Sequence, residues 1–211
     1  PPARIAQEAC LMRGSAMPLE GKHAVVTGGG RGIGAAIARA LAERGARITL
    51  VGRTRATLDE EARKLRTLTG VHCETADVAE PDSIGAAFAG ATKALGPVAI
   101  LVNNAGQAAS APFAKTDLAW QRMLDVNLTG TYLGIRAVLP GMLDLGWGRI
   151  VNVASTASLK GYAYVSAYCA AKHAVLGLTR ALAQALAKKP VTINAVCPGY
   201  TETDIVRDSL A

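Results

Sequence analysis

The chain has 211 residues, half of them hydrophobic and 18% charged, which reads as a soluble globular protein with room for one substantial core. No apolar stretch nears the roughly 18 residues of a membrane span. The net charge of +7 is spread along the chain, with no basic run interleaved with aromatics, so phosphorylated small molecules are the expected ligands rather than nucleic acid or a membrane.

Residues 1–16 lack the apolar centre of a signal peptide and are expected to be a disordered leader or expression remnant ahead of a single domain, 17–211. HAVVT (23–27) reads as a buried strand. Apolar residues then recur at three- and four-residue intervals over 33–44, predicting a helix that ends at Gly45. ARITLV (46–51) is the next strand, and 54–70 a charged amphipathic helix. A weaker strand, VHCETA (71–76), precedes a helix over 81–95. VAILVN (98–103) is strongly apolar. A long helical region follows over 117–145, with an interruption expected at Pro140 and Gly141. GRIVNVAS (148–155) is a strand, 166–188 a helix and VTINAV (191–196) a strand.

Six short apolar strands alternating with helices predict an α/β fold, a doubly wound parallel sheet flanked by helices. Ligands of such sheets bind beyond the carboxyl ends of the strands. The unusual residues sit there: a glycine loop after strand one, Arg53 after two, Asp77 after three, NNAG (103–106) after four, Ser155 after five, and Pro198 with Gly199 after six.

The glycine loop TGGGRGIG (27–34) leads from a strand into a helix, which makes it an anion site. Gly28, Gly32 and Gly34 would let backbone approach a pyrophosphate; Gly29 and Gly30 read as slack that the loop tolerates. An NAD site usually carries an acid at the end of strand two. Here Gly52 stands in its place and Arg53 follows, with Arg31 inside the loop. Two guanidinium groups suit a 2′-phosphate, so NADP(H) is favoured over NAD(H); the alternative is that both are solvated surface arginines.

Tyr168 and Lys172, four apart, share one face of a helix. A nearby ammonium is expected to lower the phenol pKa, so that the pair gives or takes a proton at a carbonyl or alcohol oxygen. Ser155 offers a hydroxyl to the same oxygen. Asn127 is a polar amide in an apolar helical stretch, readable as functional or as a satisfied structural amide. The four cysteines, Cys10, Cys73, Cys169 and Cys197, show no C-x-x-C, and His23, His72 and His173 are scattered. Reduced thiols in a cytoplasmic protein without metal are expected. Cys169 and Cys197 read as packing residues, and His173 as structural or exposed.

These pieces together resemble the classical short-chain dehydrogenases/reductases. The resemblance runs from about Pro18 onward and rests on TGGGRGIG, ADV (76–78), NNAG, DVNLTG (125–130), NVAS (152–155), YCAAK (168–172) and NAVCPGYTET (194–203), in the family's order and spacing. It implies a Rossmann-like sheet, usually of seven strands, in a homodimer or homotetramer. Tyr168 would be the general acid in reduction and Ser155 would hold the substrate oxygen. Lys172 would bind the nicotinamide ribose and tune Tyr168. Asn127 would hold a water linking Lys172 to solvent. Gly28, Arg31, Gly32, Ile33 and Gly34, with Arg53, would hold the phosphates, and Asp77 and Val78 the adenine. Asn104, Ala105 and Gly106 would line the cleft, and Pro198, Gly199 and Thr203 would border the nicotinamide.

The family's chains usually run to about 250 residues on this plan, so the C-terminal part of the usual fold, with the seventh strand, is expected to be absent. The stretches around NNAG, YCAAK and NAVCPGYTET look most like 3-oxoacyl thioester reductases, with an acyl-carrier-protein or coenzyme A thioester as substrate. Alternatives are an alcohol, sugar or ring-ketone dehydrogenase, or a cofactor-binding protein inactive through truncation.

Overall fold

The structure, a computed structural model, describes residues 17–201 other than residue 116. In chain order they form β1 (His23–Thr27), α1 (Gly32–Ala42), β2 (Arg47–Gly52), α2 (Arg55–Leu65), β3 (Val71–Thr75), α3 (Pro81–Leu95) and β4 (Ile100–Asn103). There follow α4 (Asp117–Leu124), a π-helical turn (Asp125–Thr129), α5 (Gly130–Asp144), β5 (Gly148–Val153), α6 (Ser166–Ala185) and β6 (Val191–Val196). Short 3-10 turns stand at Phe113–Lys115 and Thr156–Ser158.

All six strands are parallel, in the order β3-β2-β1-β4-β5-β6. The chain starts in the middle, winds outward through β2 and β3, then returns to the other side of β1. Val25 of β1 is level with Thr49 of β2 on one flank and Leu101 of β4 on the other. The reversal between β1 and β4 opens a crevice at their carboxyl ends, because the crossovers on either side lead away in opposite directions.

Two apolar layers hold the sheet. On one face Val25, Leu101 and Ile150 pack against Ile84 and Phe88 of α3 and Val138 and Met142 of α5, with Leu178 and Leu182 of α6 alongside. On the other, Val26, Ile48 and Leu50 pack against Ala38 and Ala42 of α1 and Leu58, Ala62 and Leu65 of α2. Strands buried on both faces explain why HAVVT and VAILVN read as unbroken apolar runs. At the edge, β6 alternates: Val191 and Ile193 are buried while Thr192, Asn194 and Val196 are exposed. Among the described residues this strand carries helices on one face only.

The expected interruption of the long helix at Pro140 is not where the break occurs. Pro140 lies inside α5. It is exposed, as is Arg136 one turn earlier, so the proline ring stands on the solvent side of the helix. The actual break is the π-turn, where the Gly130 N–H bonds the Asp125 carbonyl five residues back. The 54–70 helix also closes early, at Leu65. There the Leu68 and Thr69 amides fold back on the Leu65 carbonyl and the Thr67 hydroxyl donates to the Lys64 carbonyl.

Candidate active site

The carboxyl ends of the strands enclose a cleft of about 330 Å³. Gly30, Arg31, Arg53, Thr57, Asp77 and Val78 line one end; Asn127, Ser155, Tyr168, Lys172, Pro198 and Gly199 line the other. Gly28, Gly32, Ile33, Asn104, Ala105 and Gly106 lie along the same wall. One cleft therefore collects the expected site residues apart from two. Gly34 does not line the wall; it packs behind it. Thr203 lies outside the described residues.

The glycine loop is built for close approach. Gly28 has φ +64° and Gly32 φ +53°, conformations that L side chains rarely adopt. A Cβ on Gly34 would overlap the Gly28 carbonyl. The expectation that Gly29 and Gly30 are slack does not hold. A Cβ on Gly29 would stand 2.8 Å from Leu50 Cδ2 and 2.9 Å from the Val26 carbonyl oxygen, and one on Gly30 would stand 3.0 Å from Thr57 Oγ1. These contacts come from β1, β2 and α2, which the loop sequence does not name. At the start of α1, Arg31 takes the extended N-cap position without a side-chain cap bond, and Gly32 and Ile33 of the first turn line the cleft.

Thr27 and Asn104 fasten this loop to the loop after β4. The Thr27 hydroxyl accepts from the amides of Asn104 and Ala105, each at 3.0 Å. The Asn104 amide donates to the carbonyls of Thr27 at 2.9 Å and Gly28 at 3.2 Å. Thr27 was not among the expected site residues; its signal is its place as the first residue of TGGGRGIG.

At the far end of the cleft from Tyr168, Arg31 and Arg53 are both exposed, and Gly52 stands at the end of β2 where an acid would repel a phosphate. Asp77 is bound on both oxygens. Its Oδ1 accepts from the Ala79 amide at 3.0 Å and its Oδ2 from Arg122 Nη2 at 2.6 Å. Burial works to raise the Asp77 pKa, but the Arg122 and Ala79 hydrogen bonds and the charges of Arg122 and Arg53 prevail, holding it below the ordinary carboxylate value. Arg122 and Gln107, also in the lining, were missed by the sequence reading: no motif marks them.

At the other end, Ser155 caps the 3-10 turn after β5. Its Oγ accepts from the Ala157 amide at 3.1 Å, and its own amide donates to Ser158 Oγ at 3.2 Å. This fixes the hydroxyl, which lines the same cleft as the Tyr168 phenol. Lys172 is buried, donates from Nζ to the Val153 carbonyl at 2.8 Å and lies 5.7 Å from the Tyr168 ring centre. Its pKa falls to about 8, chiefly because burial penalises the ammonium. The expected lowering of the Tyr168 pKa is not found. Burial pushes it up, and the influence of the Ser155 hydroxyl only partly offsets that. The phenol is therefore held protonated at neutral pH, the form a proton donor needs.

Asn127 is fully buried in the π-turn. Its amide donates to the carbonyls of Gln107 at 2.9 Å and Met123 at 3.0 Å, while its oxygen accepts from the Gln107 amide at 3.4 Å. A Cβ on Gly106 would meet Asn127 Oδ1 at 2.8 Å and Lys172 Nζ at 3.6 Å, so this glycine lets the two approach. Cys169 is buried and Cys197 half-buried, both as free thiols, and His173 is exposed, its ring nitrogen 2.9 Å from the Cys169 carbonyl.

The short chain dehydrogenase family model matches residues 22–211. The chain is a short-chain dehydrogenase. It is 44% identical over 187 residues to an acetoacetyl-CoA reductase of Paracoccus denitrificans, covering 88% of this chain and 76% of that one. Among solved structures, a variant of actinorhodin polyketide ketoreductase with NADPH superposes with a TM-score of 0.86 at 38% identity, over 89% of this chain and 73% of that one. An NAD+-bound xylitol dehydrogenase gives a TM-score of 0.83 at 34% identity, over 87% and 72%. The short-chain dehydrogenase fold thus accounts for the sheet order and for the cleft, and the chain is an oxidoreductase of a family that binds a nicotinamide cofactor. Among the described residues no helix is long and apolar enough to cross a membrane.

Proposed function

We propose that this short-chain dehydrogenase is an NADP(H)-dependent ketoreductase acting on a 3-oxoacyl thioester, carried by coenzyme A or an acyl carrier protein. The observation that carries the reading is the convergence of Ser155, Tyr168 and the buried Lys172, whose Nζ lies 5.7 Å from the Tyr168 ring centre, at one end of a cleft whose other end bears Arg31 and Arg53.

The residues fit a dinucleotide phosphate. Positive-φ glycines and an uncapped helix start accommodate a pyrophosphate, and the two arginines with no acid at Gly52 suit a 2′-phosphate. When bound, the nicotinamide supplies or receives the hydride. Tyr168 donates its proton to the carbonyl oxygen as that oxygen gains charge. Ser155, held by its capping bonds, donates a second hydrogen bond to the same atom. Lys172 would hold the ribose hydroxyls and, as an ammonium, stabilise the phenolate left behind. Asn127, with both amide hydrogens committed to backbone, accepts a water between Lys172 and solvent through its oxygens. The resemblance to acetoacetyl-CoA reductase and to polyketide ketoreductase supports the thioester substrate; the likeness to an NAD+-bound xylitol dehydrogenase leaves the choice of nucleotide to Arg31 and Arg53.

The test compares NADPH with NADH against 3-oxoacyl thioesters and simple ketones, following nicotinamide absorbance. NADPH and the thioesters should be preferred, and Tyr168→Phe should lower turnover by about a hundredfold or more while the nucleotide still binds. A clear NADH preference would overturn the cofactor reading, and near-normal turnover of Tyr168→Phe the mechanism.

A further inference from the structure

We propose that Arg122 is a positioning residue for adenine recognition: it fixes the Asp77 carboxylate so that this group accepts the exocyclic amino group of the adenine. The inference rests on the reading of the cleft as an adenine dinucleotide site.

Asp77 follows β3 and Arg122 belongs to α4, 45 positions later, yet the two meet at 2.6 Å on the wall of the cleft. Asp77 Oδ1 is taken by the Ala79 amide and Oδ2 by Arg122 Nη2. Each carboxylate oxygen has two lone pairs, so one remains on each. With both oxygens pinned, the carboxylate cannot rotate, and it meets an amino group without losing rotamer freedom on binding. An acid wedged beside a nucleobase without such a partner would turn toward water.

Arg122 is itself held. Its carbonyl accepts from Gln107 Nε2 at 3.4 Å, and the Gln107 backbone is clamped by Asn127 through its amide and its carbonyl. Asp77, Arg122, Gln107 and Asn127 thus form one chain of contacts along the cleft. Arg122 is partly exposed, its side chain at 37%, so its role is geometric rather than a strong buried ion pair.

The experiment measures the dissociation constants of NADPH and of its hypoxanthine analogue, in which the 6-amino group is replaced by oxygen, for the whole protein and for Arg122→Met and Arg122→Lys. The wild type should bind the analogue more weakly than NADPH. Arg122→Met should weaken NADPH by about tenfold and the analogue by less than about twofold, since the analogue has no amino group for Asp77 to receive. Arg122→Lys, which keeps a donor for Asp77, should recover part of the NADPH affinity. Equal losses for both nucleotides would overturn the proposal and assign Arg122 a merely structural role, and so would unchanged NADPH affinity. Should Arg122→Met not fold, Arg122→Leu, which likewise has no donor for Asp77, carries the same comparison. Failure of the wild type to bind either NADPH or NADH would instead remove the dinucleotide reading itself.

Discussion

At the residue scale, the acid chemistry rests on two opposite effects of one environment. Burial raises the Tyr168 pKa because it penalises the phenolate, and lowers that of Lys172, to about 8, because it penalises the ammonium. The two groups therefore lose their protons in different pH ranges, the reverse of the usual near coincidence of tyrosine and lysine. Below pH 8 the ammonium is present beside a protonated phenol; above it the ammonium is lost first. The kcat/KM for ketone reduction should accordingly fall as pH rises through about 8, approaching tenfold per unit. Tyr168 stays protonated over that range, so the fall belongs to Lys172. A profile flat from pH 7 to 10 would contradict this assignment.

At the scale of elements, the glycine loop and the π-turn each depend on partners distant in sequence. Gly29→Ala would drive a methyl into Leu50 and the Val26 carbonyl, whose positions are fixed by the sheet, and should destabilise the fold by about 1–3 kcal/mol. Gly85 supplies the contrast: it is exposed within α3 and its Cβ would meet nothing within 4 Å. Gly85→Ala should stabilise by about 0.5–1 kcal/mol. Urea unfolding of the two variants gives opposite signs if this account is right.

The same contrast marks what could be read from the sequence. HAVVT and VAILVN announce buried strands, and the order of glycine loop, NNAG and YCAAK announces the cleft, because each is a local pattern. The need for glycine at 29 was hidden, since Leu50 supplies the clash. The π-turn was hidden too: it forms where the Asn127 side chain takes the Met123 carbonyl and reaches a loop 20 residues away. Arg122 reads as an ordinary helical arginine until Asp77 is set beside it.

At the scale of the molecule, the sheet's central strand carries a buried imidazole. His23 is 1% exposed in β1, its Nδ1 2.7 Å from the Gly96 carbonyl and its Nε2 2.9 Å from Thr49 Oγ1 of β2. A carbonyl can only accept, so Nδ1 carries the proton and Nε2 accepts from the threonine hydroxyl. This joins β1, β2 and the end of α3 through a neutral ring. Burial lowers its pKa most, the Gly96 bond works against that, and the nearby Arg47 and His72 lower it further. The unfolded chain therefore takes up a proton at about 6.5, before the folded one does. Stability from this site is full above pH 6.5 and is lost as the pH falls below it toward the folded pKa. Denaturant unfolding between pH 7.5 and 5 should show a progressive loss of stability, and His23→Asn, less stable at pH 7.5, should show a shallower dependence. An identical slope in both proteins would mean that the imidazole is not the group that titrates, because the acid pair at Asp77 is held below the ordinary carboxylate value and loses its contribution only at lower pH.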